Sequence, residues 1–208
     1  MSIVLAALAT TALLRASPAS YPGTWASNLD YPPEAIRLSQ RGTASFLVLV
    51  SPQGKVASCY ITQSSGVPEL DKRTCVLLSV RASFKPAADE NGQPVYDTYK
   101  GSINWRHMDR PNRSLAPKPE LDDTDFELQV AKLPNGLQQQ RVVVIVRMDT
   151  SGRVAYCEHH PQTAVSPQLA AVACAQAKAG YVSITKDAAD QPISVIRSLH
   201  ILFKAAAG

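Results

Sequence analysis

Ser51-Pro52-Gln53-Gly54-Lys55-Val56-Ala57-Ser58-Cys59 and Thr150-Ser151-Gly152-Arg153-Val154-Ala155-Tyr156-Cys157 state one pattern twice: a turn with glycine, a basic residue, and an alternating stretch that reaches a cysteine. The correspondence continues downstream. Pro68-Glu69-Leu70 and Cys75 return as Pro167-Gln168-Leu169 and Cys174, Gln93-Pro94-Val95 as Gln191-Pro192-Ile193, and Ile103 and Trp105 as Ile201 and Phe203. The offset is 98 at the glycines, the first cysteines, Pro94 and Pro192, and the closing aromatics, and 99 at Pro68 and Pro167 and at the second cysteines. A period held over about fifty residues decides the architecture before any local reading does. It implies two small modules, each with its own cysteine pair.

Within the first module, Tyr31-Pro32-Pro33 opens a helical stretch over Glu34–Gln40, with prolines where a first turn tolerates them. Gly42 ends it. Thr43–Val50 then alternates, with Ala44, Phe46, Val48 and Val50 on one face, and Ser51–Gly54 turns the chain into a return strand over Lys55–Gln63. A helix over Pro68–Ser83 brings Asp71, Cys75, Leu78 and Ala82 near one another on its surface. After Phe84-Lys85-Pro86 and the turn Asp89-Glu90-Asn91-Gly92, Val95–Arg106 forms a closing strand. In the second module the hairpin is Arg141–Met148 with Arg153–His160, the helix Gln168–Lys178, and the closing strand Ser194–Lys204. The fold class is therefore α+β: two tandem modules, each a small antiparallel sheet packed on helices. Residues 31–106 form the first module and 126–204 the second. Between them, 107–125 reads as a semi-rigid, solvated linker containing Pro111, Pro117 and Pro119, and 205–208 is a tail.

Ile3–Leu14 is a twelve-residue apolar run, too short to span a bilayer and suited to the core of a signal peptide. Ser17-Pro18-Ala19 offers small residues for cleavage after Ala19, giving a leader over 1–19 and a short segment over 20–30. No Lys or Arg precedes the apolar run, so an uncleaved inner-membrane anchor and a start codon that hides a basic segment stay open. The formal net charge of +4 gives solubility, and with no basic run interleaved with aromatics it does not describe a nucleic-acid binder. Asp122, Asp123 and Asp125 read as part of the solvated linker rather than as a metal site.

Cys59 lies on the inward face of its strand and Cys75 on the helix over it; Cys157 and Cys174 repeat the arrangement. In an oxidising compartment, an even count at duplicated spacing reads as disulfides. Of the three connectivities only 59–75 with 157–174 respects the repeat. In Cys157-Glu158-His159-His160 the ligand types alternate across the strand, and the first module has no matching histidines, so no metal site is expected. Ser64-Ser65-Gly66 reads as a loop rather than a nucleophile elbow, no Cys-x-x-Cys is present, and Asp71 sits in a helical first turn that suits its charge. No catalytic residue, metal or cofactor is expected.

Tyr31-Pro32, Gly42, Gly54, Ser64-Ser65-Gly66, Leu70-Asp71, Phe84-Lys85-Pro86-Ala87 and Gly92-Gln93-Pro94-Val95, in this order and spacing, resemble the C-terminal domain of TonB-type energy transducers. The resemblance covers about 31–106. The second module resembles the same domain more faintly: His159-His160-Pro161 replaces Ser-Ser-Gly, and neither the Tyr-Pro opening nor the Phe-x-Pro pattern is visible. The resemblance implies a periplasmic binding domain whose last strand lies at a sheet edge and accepts an extended peptide of a TonB-dependent outer-membrane transporter. Tyr96, Thr98, Tyr99, Ile103 and Trp105 would lie on that strand, with Tyr31 and Pro32 nearby.

Such transducers carry a membrane helix and a long Pro-rich spacer. Only eleven residues, Ser20–Asp30, precede the module after the expected leader, a reach of roughly 36 Å. This leads to the expectation of an exported relative that keeps the peptide-binding fold without transmitting force, and that touches a membrane only if its leader stays attached. The alternative is an envelope protein whose two modules pack on each other or on a homodimer partner and bind no transporter.

Overall fold

In the computed structural model, residues 12–106, 124–160 and 165–206 are described. The elements run in the order β1 (Ser17–Pro18), α1 (Pro33–Arg37), β2 (Gly42–Val50), β3 (Val56–Gln63), α2 (Pro68–Arg81), β4 (Phe84–Lys85), β5 (Ala87–Ala88), β6 (Pro94–Trp105) and β7 (Phe126–Val130). They continue with β8 (Gln139–Met148), β9 (Val154–His159), α3 (Pro167–Gly180), β10 (Thr185–Lys186), β11 (Pro192–Ile193) and β12 (Val195–Ala205). The α+β class stands, and both halves show hairpin, helix and closing strand.

The agreement between halves extends to single hydrogen bonds. Both hairpin turns hold a glycine at positive φ, Gly54 at 72° and Gly152 at 78°. In each, the glycine carbonyl accepts a backbone N–H from just beyond the helix: Phe84 N at 2.9 Å, Ser183 N at 2.8 Å. A Cβ at Gly54 would stand 2.1 Å from the Phe84 carbonyl oxygen, so this approach requires glycine. Cys59–Cys75 joins β3 to α2, and Cys157–Cys174 joins β9 to α3, the connectivity the spacing predicts. Both helices start on a proline that needs no N–H partner, and Ser166 also caps α3 through the Leu169 N–H at 3.3 Å.

The halves meet in one sheet. Its strand order is β3-β2-β6-β12-β8-β9, with β5 added on β6 and β7 on β12. The junction is parallel and only two residues long, Val195 beside Tyr96 and Ile196 beside Asp97. Register then fixes which face each half buries, because paired residues share a face and neighbours alternate. Val48 and Val50 lie across from Tyr99 and Asp97, and Asp97 beside Ile196; all share the face that Leu78 and Ala82 of α2 cover. Leu49, Val195, Leu199, Val144 and Val146 lie on the other face, against Leu169, Ala173 and Ala177 of α3. The two helices thus cover opposite faces of a single sheet. Parallel contact between two equivalent last strands produces this, since the operation that keeps strand direction turns the sheet over.

Several expectations change. The opening helix ends at Arg37 rather than Gln40, because Ser39 turns the chain at φ 51°. The stretch read as linker ends in bound structure: Asp125 accepts the His200 N–H at 2.8 Å and pairs with Arg197 at 3.0 Å, and β7 follows, parallel to β12. The rest of the linker, with Asp122 and Asp123, lies outside the described residues, as does most of the apolar N-terminal run.

The residues before the first module also pack. Trp25 is buried against Phe84 and Tyr99, with ring centroids 5.5 and 6.0 Å away. Asp30, only 4 % exposed, receives Arg81 through two hydrogen bonds of 2.6 and 2.7 Å and Arg73 at 3.2 Å. Hydrogen bonding to Arg81 holds its carboxyl far below the usual carboxylate range, against the opposing pull of burial. This fastens the segment before Tyr31 onto α2.

Candidate functional site

β6 is the closing strand of the first module, and its two edges differ. One edge pairs with β2 from Val50–Asp97 to Gly42–Trp105. β5 continues the β2 edge at Pro94 and Val95, and the opposite edge meets β12 at Tyr96 and Asp97. Beyond Asp97, no strand among the described residues pairs with that edge. β12 instead takes β7 on the same side, at Ile201–Ala205. The sheet therefore forks, leaving the β12-side edge of β6 beyond Asp97 without a neighbouring strand among the described residues, beside a cleft lined by Leu47, Leu49, Tyr60, Lys100, Arg197 and His200.

The chain itself occupies the root of the fork. Arg15 donates Nε to both Asp97 carboxylate oxygens, at 3.0 and 2.8 Å, Nη1 to Ser198 Oγ at 2.7 Å, and Nη2 to the Thr98 carbonyl at 2.7 Å. Ala16 N–H and Thr98 N–H also donate to the Asp97 carboxylate, at 2.7 and 2.6 Å. Asp97 is fully buried. Burial pushes its carboxyl up from the usual carboxylate range, while Arg15 and the amide donors oppose the shift. The Thr98 carbonyl points away from β2, so strand alternation also turns the main-chain groups of Lys100, Ser102 and Asn104 outward. These three side chains are exposed.

The residues that the resemblance nominated divide into groups. Tyr31 and Trp105 are core: their rings meet edge to face at 5.4 Å, the Tyr31 hydroxyl donates to the Gln40 carbonyl, and Trp105 Nε1 donates to Thr74 Oγ1 at 2.9 Å. Pro32 caps α1 beside them. Tyr99 and Ile103 pack against the α2-side core, and Tyr96 against the α3-side core. Thr98 stands at the mouth of the fork. These side chains hold the strand in place, while the edge away from β2 presents the main chain of Lys100, Ser102 and Asn104. Sequence reasoning named none of those three, although the alternation Lys100-Gly101-Ser102-Ile103-Asn104-Trp105 marks them as the polar face. Gly101 belongs to the design too: a Cβ there would fall 2.6 Å from the Phe46 ring that covers it.

Residues 27–107, which span the first module, match the family model of the Gram-negative bacterial TonB protein C-terminal. No curated protein and no solved structure matches the chain. The matched family is an envelope-associated interaction domain. Among the described residues, no helix is long and apolar enough to cross a membrane, and no group of His, Cys, Asp or Glu is placed to hold a metal.

Proposed function

We propose that the protein is an exported, periplasmic TonB-family binding protein that takes an extended peptide of a partner onto the open edge of β6. The partner class this reading favours is a TonB-dependent outer-membrane transporter. The observation that supports it is the edge of the closing strand β6 beyond Asp97, which no strand among the described residues covers. Unpaired N–H and C=O groups at a sheet edge bind an added strand through the main chain, and neighbouring side chains select among sequences. Because Arg15 holds the Thr98 carbonyl, pairing starts at Lys100 and runs towards Trp105. Titration of the purified protein with N-terminal transporter peptides tests this. Saturable binding that Ser102→Pro abolishes without unfolding the protein is the expected result.

A second reading has its own support. The β6–β12 junction uses part of the same edge to join the halves, and Glu90 of the first half pairs with Arg147 of the second. On that reading the protein serves the envelope as a structural element, alone or as a homodimer, and binds no transporter peptide.

A further inference from the structure

The segment Leu13–Ala19 reads as the end of a leader, yet it is built into the fold as a strap across the junction of the two halves. Leu14 exchanges two backbone hydrogen bonds with Ala88, both 2.9 Å; β1 pairs with β4, and Ala19 N–H donates to the Ser83 carbonyl at 2.8 Å. Leu13 and Ala16 are buried in one apolar cluster with Ile145 and Ile196 of the second half. Arg15 supplies the cationic partner of buried Asp97. Cleavage after Ala19 would remove all of this and leave a buried carboxylate holding only the neighbouring Thr98 N–H.

One contact indicates where the strap begins. Leu13 N donates to both carboxylate oxygens of Glu158, at 3.1 and 3.2 Å. A single amide proton shared by two carboxylate oxygens is under-used, whereas an ammonium has three donors and a compensating charge. For this cut the apolar core is the seven-residue stretch Ile3–Ala9, and Thr10-Thr11-Ala12 after it offers small residues at the last and third-last positions before Leu13. We propose that a signal peptidase cuts between Ala12 and Leu13, so that the mature chain keeps the strap and seats its new α-ammonium on Glu158. Water adds across that peptide bond, leaving a carboxylate on Ala12 and the ammonium on Leu13. Glu158 then has a structural role: it is the counter-ion that locks the mature terminus to β9, as Asp97 locks Arg15 to β6.

The inference rests on export, and one experiment separates the two. The protein is recovered from the periplasmic fraction of a Gram-negative host, and its intact mass and N-terminal sequence are read. A mature chain beginning at Leu13 is the expected result. A periplasmic chain beginning at Ser20, or at any residue other than Leu13, overturns the inference and leaves export standing, whereas an uncut chain confined to the cytoplasm overturns both. As a second measurement, chains started at Leu13 and at Ser20 are exported behind an unrelated leader and melted. The Ser20 chain should melt at least about 4 °C lower; equal midpoints would show that the strap contributes nothing and overturn the structural role.

Discussion

Asp97 and Val195 hold the same place in the two halves, 98 residues apart, and both are fully buried at the β6–β12 junction. Val195 packs among the side chains of its own half, beneath α3. Asp97 is satisfied from outside its module, by Arg15 and the Ala16 amide. At this position the second half therefore closes the junction with an apolar side chain, while the first closes it with a charge whose partner comes from the strap. A buried charge is a poor source of net stability but a strict condition on structure, because losing one partner strands the other. The first half, which carries the family domain and the open edge, is thus the half that depends on a remote segment.

Four perturbations would break or sharpen that contrast. The largest effect is expected from Arg15→Ala, which leaves Asp97 buried without its cation and should cost about 3–5 kcal/mol in urea denaturation. Adding Asp97→Val, the residue type used in the other half, should recover most of the loss. No recovery would mean that Arg15 acts through something other than Asp97. Replacing each cysteine pair by alanine comes next. The closed loops span 16 and 17 residues, so each replacement should cost about 3 kcal/mol, with the two halves equal to within about 1 kcal/mol.

The third perturbation separates the halves by pH. The depressed carboxyl of Asp30 contributes stability that is complete above the unfolded-state value of about 4 and is lost as the pH falls below it. Asp30→Asn should cost about 1–3 kcal/mol at neutral pH and flatten the acid limb of the stability curve. An unchanged acid limb would show that the Arg81 and Arg73 pairing adds nothing. The smallest effect on stability, within about 1 kcal/mol, is expected from Ser102→Pro, because the N–H it removes faces away from β2. The β12 counterpart, His200, donates its N–H to Asp125. His200→Pro should therefore destabilise the protein clearly more than Ser102→Pro does.

The hairpins, both helices and both disulfides were legible because each rests on residues close in sequence: a turn glycine, a period, a cysteine on an inward face. What was not legible depends on partners far apart in the chain. The opposite placement of α2 and α3 follows from a two-residue parallel contact that leaves no periodic signal. β7 is five residues long and is secured by Asp125, which looks like linker by composition. Leu13–Ala19 has the composition of a leader end and carries no mark of its packing. One clue was present: Asp97 falls on the inward face of β6 with Tyr99, Gly101, Ile103 and Trp105, and a carboxylate at such a position demands a donor from elsewhere. The residues that the family pattern nominated lie on and beside β6, where the aromatics among them pack in the core and hold that strand in place.

Amide hydrogen exchange during titration with a transporter N-terminal peptide tests the account most directly. Saturating peptide should slow exchange at Lys100, Ser102 and Asn104 by at least about tenfold, with β3 and β9 unchanged. Protection confined to β3 or β9, or binding with no change along β6, would contradict it.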